Sequence, residues 1–182
     1  MRKNSVREMT LAAMLAAVYA VLTMVLPIPQ YAGIQIRMAE ALTVLPFLIP
    51  GATPGLFVGC LIANLLSPYG LLDVAAGSAA TLLAGLWTQR LRNRYLAPLP
   101  AVICNGVIVG GVVAFAQTGF GPAFGSAYVL NALSVGVGEL IACYMLGSIL
   151  LTTLPRIKFF REMIPAERLA LAEDKKRLMQ TQ

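Results

Sequence analysis

Hydrophobic positions in this chain gather into unbroken blocks, and the polar positions collect in the gaps between them. Block one covers about residues 8–26 and stops at Pro27 and Pro29. Blocks two and three, about 39–50 and 54–67, are separated only by Gly51, Ala52 and Thr53, with prolines on either side. Block four spans about 71–89, block five about 99–117 and block six about 127–154. Apolar residues on all sides of a helix mean that every face is buried, in protein or in lipid. The pattern predicts an all-α integral membrane protein with six transmembrane helices over 1–155, followed by a charged tail over 156–182. Blocks two and three fall short of the roughly 20 residues that cross a bilayer unaided. They are expected to form a tilted pair or a broken re-entrant hairpin, shielded by protein.

The basic residues orient this frame. With the N-terminus in the cytoplasm, six spans place 13 of the 14 Lys and Arg residues inside and leave only Arg37 outside. Both termini are therefore expected in the cytoplasm, with the 156–182 tail forming an amphipathic or partly mobile helix. Block one follows Arg2, Lys3 and Arg7 but ends in Pro27-Ile28-Pro29 without a small-residue cleavage site, so it is expected to remain as an uncleaved first span.

Composition narrows the function. The chain is 58% hydrophobic and 12% charged, against roughly 25% charge in an average soluble domain. Its net charge of +6 comes from clusters that flank apolar blocks, which reads as topology rather than as a nucleic-acid surface. Histidine is absent, and Cys60, Cys104 and Cys143 each stand alone in apolar sequence. No metal site, cofactor site or nucleophile–base pair follows from such a set, so an enzyme is not expected. No Walker sequence is present, and any ATP hydrolysis would fall to separate subunits.

Three carboxylates lie in or beside the blocks: Glu40, Asp73 and Glu139. A charge at the bilayer centre costs on the order of 2.5–3.5 kcal/mol on insertion scales, so each needs a partner or a use. Glu139 is the deepest, about 12 residues and roughly 18 Å into block six. Glu40 could pair with Arg37, three residues earlier, and Asp73 could cap the helix of block four. Glu139 has no basic partner in its own block and would otherwise hydrogen-bond a neighbouring helix. Gln35, Asn64, Asn105 and Asn131 accompany the acids, Asn131 with Ser134 beside it. Asn131 and Glu139 sit about 80° apart on one helix, so both could face one cavity. Tyr69 leads the aromatics at the outer boundary and could stack on a flat ligand. In block one Ala12, Ala16 and Ala20 recur every four residues, with Ala13 and Ala17 beside them, offering a smooth face for packing inside the protein or for a separate membrane subunit. Gly106 and Gly110 invite the same two readings, internal packing first.

The stretch 33–46, GIQIRMAEALTVLP, resembles the QueT family, the queuosine-precursor substrate-binding subunits (S-components) of energy-coupling-factor (ECF) transporters. Residues 54–65, PGLFVGCLIANL, and 73–83, DVAAGSAATLL, are similar to it as well. The resemblance is strongest over 33–85 and rests on a Q-x-R-x-x-E-A loop leading into a proline-broken hairpin. It implies a six-helix S-component in the cell membrane that binds its ligand near the outer face and docks, through Ala12, Ala16 and Ala20, on a transmembrane T-component driven by two ATPases. The implied ligand is a 7-deazaguanine, queuine or its aminomethyl precursor. The residues assigned to it are Glu40, Asn64, Asp73 and Glu139, then Gln35, Arg37, Tyr69, Asn105 and Asn131. The alternatives are the same scaffold carrying another vitamin, or a membrane scaffold without a ligand.

Overall fold

A computed structural model describes residues 2–25 and 37–180. Every regular element among the described residues is helical. Helix α1 is Arg2–Val25. Helix α2 begins as a 3-10 helix, Met38–Val44, and widens into one α turn, Leu45–Leu48. A single 3-10 turn, Pro50–Ala52, leads into α3, Thr53–Asn64. Helix α4 is Leu71–Thr88 and α5 is Leu99–Thr118. Helix α6 starts as Phe124–Ile141 and runs through a π-helical turn, Ala142–Leu146, into Gly147–Thr153. Two further helices follow, α7 at Lys158–Arg161 and α8 at Ala166–Gln180.

Four of the described helical stretches are long and apolar enough to cross a membrane: Val6–Val25, Leu71–Thr88, Arg94–Thr118 and Phe124–Arg156. Blocks two and three form helices of less than spanning length, as their short apolar runs predict, so four long spans stand among the described residues where six transmembrane helices, two of them short, were expected. The physical reason lies in their position. Helix α2 packs at the centre, against α1, α4 and the π-helical and final turns of α6. Ala39, Val44, Phe47 and Leu48 are fully buried. A helix surrounded by protein needs neither length nor a polar face, and its irregular 3-10 backbone is shielded from lipid. Around it, α1 packs on α3, α3 on α4, α4 on α5 and α5 on α6. The outward faces carry Met9, Val21, Leu130, Leu133, Met145 and Ile149, all more than half exposed. So large an exposed apolar surface belongs in lipid.

Small residues set the two closest approaches. A Cβ added to Gly55 would stand 2.4 Å from the Ala12 carbonyl oxygen, and one on Gly59 would stand 2.8 Å from that of Ala16. Ala16 and Ala20 are buried in this seam and Ala12 is half-buried. The Ala12, Ala16 and Ala20 face expected to dock on a separate subunit is thus used inside the chain, against α3. The alanines that α1 leaves exposed are Ala13 and Ala17, one position along. Between α5 and α6 a Cβ on Gly110 would stand 2.6 Å from the Ala132 Cα, so that pair too serves internal packing.

The chain beyond 155 folds back onto the bundle. Ile164 and Ala172 join the same apolar cluster as Phe47, Leu48, Leu151 and Leu154. Arg168 donates to the carbonyls of Leu91, at 2.8 Å, and Gln89, and its guanidinium lies 5.9 Å from the Phe47 ring centroid. Arg94 donates to the Ala172 carbonyl at 2.8 Å.

Candidate functional site

The site begins where α3 ends. Gly70 adopts a positive φ of 67°, which turns the chain sharply from α3 into α4 and brings Asp73 beside Asn64. The Asn64 side-chain amide donates to the Asp73 carbonyl oxygen at 3.1 Å. The Asp73 carboxylate accepts from Ser67 Oγ at 2.5 Å and from Arg37 at 3.5 Å. Arg37 also donates to Asn64 Oδ1 at 3.3 Å. Asp73 therefore does not cap α4, and Arg37 reaches across to it instead of turning back to Glu40. Gly77 makes this junction possible: a Cβ there would stand 2.7 Å from Asn64 Nδ2 and 2.9 Å from Asp73 Oδ1.

One turn into α2, Glu40 points into the same region and is 1% exposed. Its Oε1 accepts a hydrogen bond from the hydroxyl of Tyr19, a residue buried at the centre of α1. Among the described residues its Oε2 has no hydrogen-bond partner. Glu139, on α6, accepts from Asn105 Nδ2 at 2.9 Å and from Cys143 Sγ at 3.5 Å. The Cys143 thiol also lies 3.3 Å from the Glu40 carbonyl oxygen, which ties the π-helical turn of α6 to α2. Two buried acids from two helices thus face one space.

That space is a small cavity lined by Arg37, Glu40, Gly77, Asn105, Val109, Val135 and Glu139. Its volume is about 10 Å³, room for about one water. Asp73 Oδ1, just beyond Gly77, is a second buried carboxylate oxygen without a partner. Among the described residues, three carboxyl groups and one guanidinium meet in this region, with the Tyr19 phenol and the Cys60 and Cys143 thiols beside them. Buried charges persist only when paired or hydrogen-bonded, and two oxygens here still have acceptor capacity to offer. The chemistry available is recognition of donor groups on a small polar molecule. A larger groove of about 330 Å³ lies between Arg7, Glu8, Leu11, Ile49–Gly51, Glu162, Met163 and Pro165, and no candidate residue lines it.

Of the residues singled out from the sequence, Glu40, Arg37, Asn105 and Glu139 line the cavity, and Asn64 and Asp73 hold its edge. Tyr69 does not line it but packs on the apolar wall formed with Val109 and Val135. Asn131 is elsewhere: its amide donates to Gln117 Oε1 and to the Ala127 carbonyl, both at 2.8 Å, and it ties α6 to α5. The 80° between Asn131 and Glu139 turns it out of the cavity. Gln35 lies outside the described residues.

Sequence reasoning missed Tyr19, Cys60, Gly77, Thr81 and Cys143. Three of them sit at helical spacing from residues it did find, and Thr81 sits at the same spacing from one of those three. Cys60 precedes Asn64 by four and accepts from its amide at 3.4 Å, Gly77 follows Asp73 by four, Thr81 follows Gly77 by four, and Cys143 follows Glu139 by four. One turn of helix places such pairs on the same face.

The family model of the QueT transporter matches residues 9–156, a span that takes in every residue of the cavity. No curated protein and no solved structure matches the chain. Four long apolar helices and an apolar outer surface are those of a multi-pass membrane protein, and the chain belongs to the QueT transporter family.

Proposed function

We propose that the chain is the substrate-binding subunit of an ECF-type ATP-driven importer, capturing a queuosine precursor at the outer face of the cell membrane. In this reading six helices lie in the membrane, α2 and α3 among them, with both termini in the cytoplasm. A T-component and two ATPase subunits supply the energy. The ligand is queuine or a 7-deazaguanine such as the aminomethyl precursor.

One observation carries the reading: Glu40, Glu139 and Asn105 converge on one buried cavity in which Glu40 Oε2 has no partner. A guanine-type edge presents an N–H and an NH₂ side by side, which a carboxylate accepts as two parallel hydrogen bonds. The balance of three carboxylates against Arg37 favours a ligand that also carries a cation, as the aminomethyl group does. A bicyclic base is far larger than one water, so binding requires the walls to part. The contacts of Arg37 at 3.3 and 3.5 Å are long for a charged donor, and they are the first to yield. With Ala12, Ala16 and Ala20 taken up by α3, docking on the T-component falls to Ala13 and Ala17.

The test is thermal stabilisation of the purified chain by 7-deazaguanines, guanine and common vitamins. The aminomethyl compound is expected to stabilise most strongly, and Glu40→Gln or Glu139→Gln to remove the effect. Stabilisation by a vitamin with none by any deazaguanine overturns the assignment.

A further inference from the structure

Beyond the ligand cavity, the segment that follows α6 has a composition and exposure that neither packing nor transport accounts for. Pro155 ends the long helix, Ile157 is extended with φ −85° and ψ 119°, and the short helix α7 then turns along the end of the bundle. Its side chains divide in two. Phe160 packs inward on the cluster that holds Leu151, Leu154 and Ile164. Phe159 points outward at 61% exposure and Ile157 at 47%. Between these two apolar side chains and beside them stand Arg156, Lys158 and Arg161, all exposed. The acidic neighbours are Glu162, exposed, and Glu173, whose carboxylate lies 3.7 Å from Arg161 with both side chains about half exposed. A pair so solvated holds neither partner firmly. Two of the three cations, Arg156 and Lys158, have no ion pair among the described residues.

Leu91, on the turn after α4, packs on the same cluster as Phe160, and Arg90 and Arg92 stand exposed on that turn. Trp87, at 43% exposure, is one turn of α4 away. Aromatic and basic side chains at the end of a transmembrane bundle mark the level of the lipid headgroups. An outward phenylalanine flanked by cations fits one occupant there: acyl chain against the ring, phosphodiester against the charges.

We propose that α7 and its flanks, Arg156 to Arg161, bind the headgroup of an anionic phospholipid, with Ile157 and Phe159 seated in its acyl region. The surface distinguishes lipids by headgroup charge and does not depend on the cavity or on any transported ligand.

The experiment uses the full chain in lipid nanodiscs. Trp87 is the chain's one tryptophan, so Phe159→Trp in a Trp87→Phe background gives a single fluorescent reporter. Brominated phosphatidylglycerol and brominated phosphatidylcholine are compared as quenchers at equal mole fraction. The glycerol lipid is expected to quench about twofold more strongly or better, and the excess to shrink as salt rises. Arg156→Gln with Lys158→Gln is expected to abolish the excess while leaving quenching by the choline lipid in place. Because the salt titration needs no charge substitution, a poorly folding double variant leaves the question decidable. Equal quenching by the two lipids overturns the proposal. So does an excess that survives in the double variant, or one that inorganic phosphate removes at constant ionic strength, since the surface would then take free phosphate. Quenching by neither lipid overturns it as well, because another surface would cover α7.

Discussion

Tyr19→Phe separates what the buried hydroxyl does from what the ring does. The ring is 1% exposed and packs with Leu56, Cys60 and Ala63, and the substitution keeps those contacts. The donor to Glu40 Oε1 is lost. Because Oε2 already has no partner, the variant leaves both oxygens of a buried carboxylate without a side-chain donor. Interhelical hydrogen bonds in membrane proteins average about 0.6 kcal/mol and reach about 1.7. That range sets the expected loss at about 0.5–2 kcal/mol. The assay is equilibrium unfolding of the purified chain in mixed micelles, run as a double-mutant cycle with Glu40→Gln. The geometry requires the two substitutions to be coupled by at least about 0.5 kcal/mol. The hydroxyl also aims the carboxylate, holding Oε1 toward α1 and leaving Oε2 for the cavity. Ligand affinity is therefore expected to fall about tenfold, which is about 1.4 kcal/mol. Coupling within about 0.3 kcal/mol of zero, the range found for independent sites, refutes the hydrogen-bonded pairing itself. Intact coupling with unchanged affinity refutes only its role in positioning.

Five further substitutions probe the rest of the scaffold. Gly77→Ala must displace Asn64 or Asp73 and is expected to cost about 1–3 kcal/mol by overpacking. Gly136→Ala, where an added Cβ meets nothing within 4 Å, is expected to be neutral or stabilising by up to about 1 kcal/mol in the same unfolding assay. Gly59→Ala pushes on the backbone of Ala16 and the Cβ of Tyr19 and is expected to lower the melting temperature. Ala17→Leu, on the exposed side of α1, is expected to leave the isolated chain within about 0.5 kcal/mol while preventing its capture by a T-component. Arg168→Ala removes two donors to backbone carbonyls and is expected to raise the rate of limited proteolysis in α8 about tenfold.

The membrane class, the boundaries of α4 and α5, the C-terminal end of α1 (its start at Arg2 lies six residues before the expected one), and four of the cavity-lining residues were legible because each rests on a local signal. Blocks of apolar sequence mark helices, and an acid inside such a block is costly enough to stand out. The placement of α2 was not legible. Its sequence reads as a short span, and only the packing of α1, α4 and α6 around it determines that it fills the interior. The alanine face was left with two readings for a related reason. Ala12, Ala16 and Ala20 recur at the same spacing as Ala13 and Ala17, and helical period alone does not say which row meets Gly55 and Gly59. The glycines of α3, spaced by four, are the complementary half of that signal, and both halves had to be read together.

Tyr19 shows the same logic at the site. A single tyrosine within an apolar span is costly unless its hydroxyl is satisfied, and it stands three residues after Ala16, on the face of α1 that meets α3. Once that face is known to be the internal one, the hydroxyl must find an acceptor inside the bundle. Glu40 is the buried acid on the helix that α1 and α3 enclose. The packing seam and the polar site are therefore one construction. The small residues that let α1 approach α3 also bring the Tyr19 hydroxyl within reach of Glu40. A substitution that widens the seam, such as Gly59→Ala, is expected to weaken ligand binding as well as stability, although residue 59 does not line the cavity.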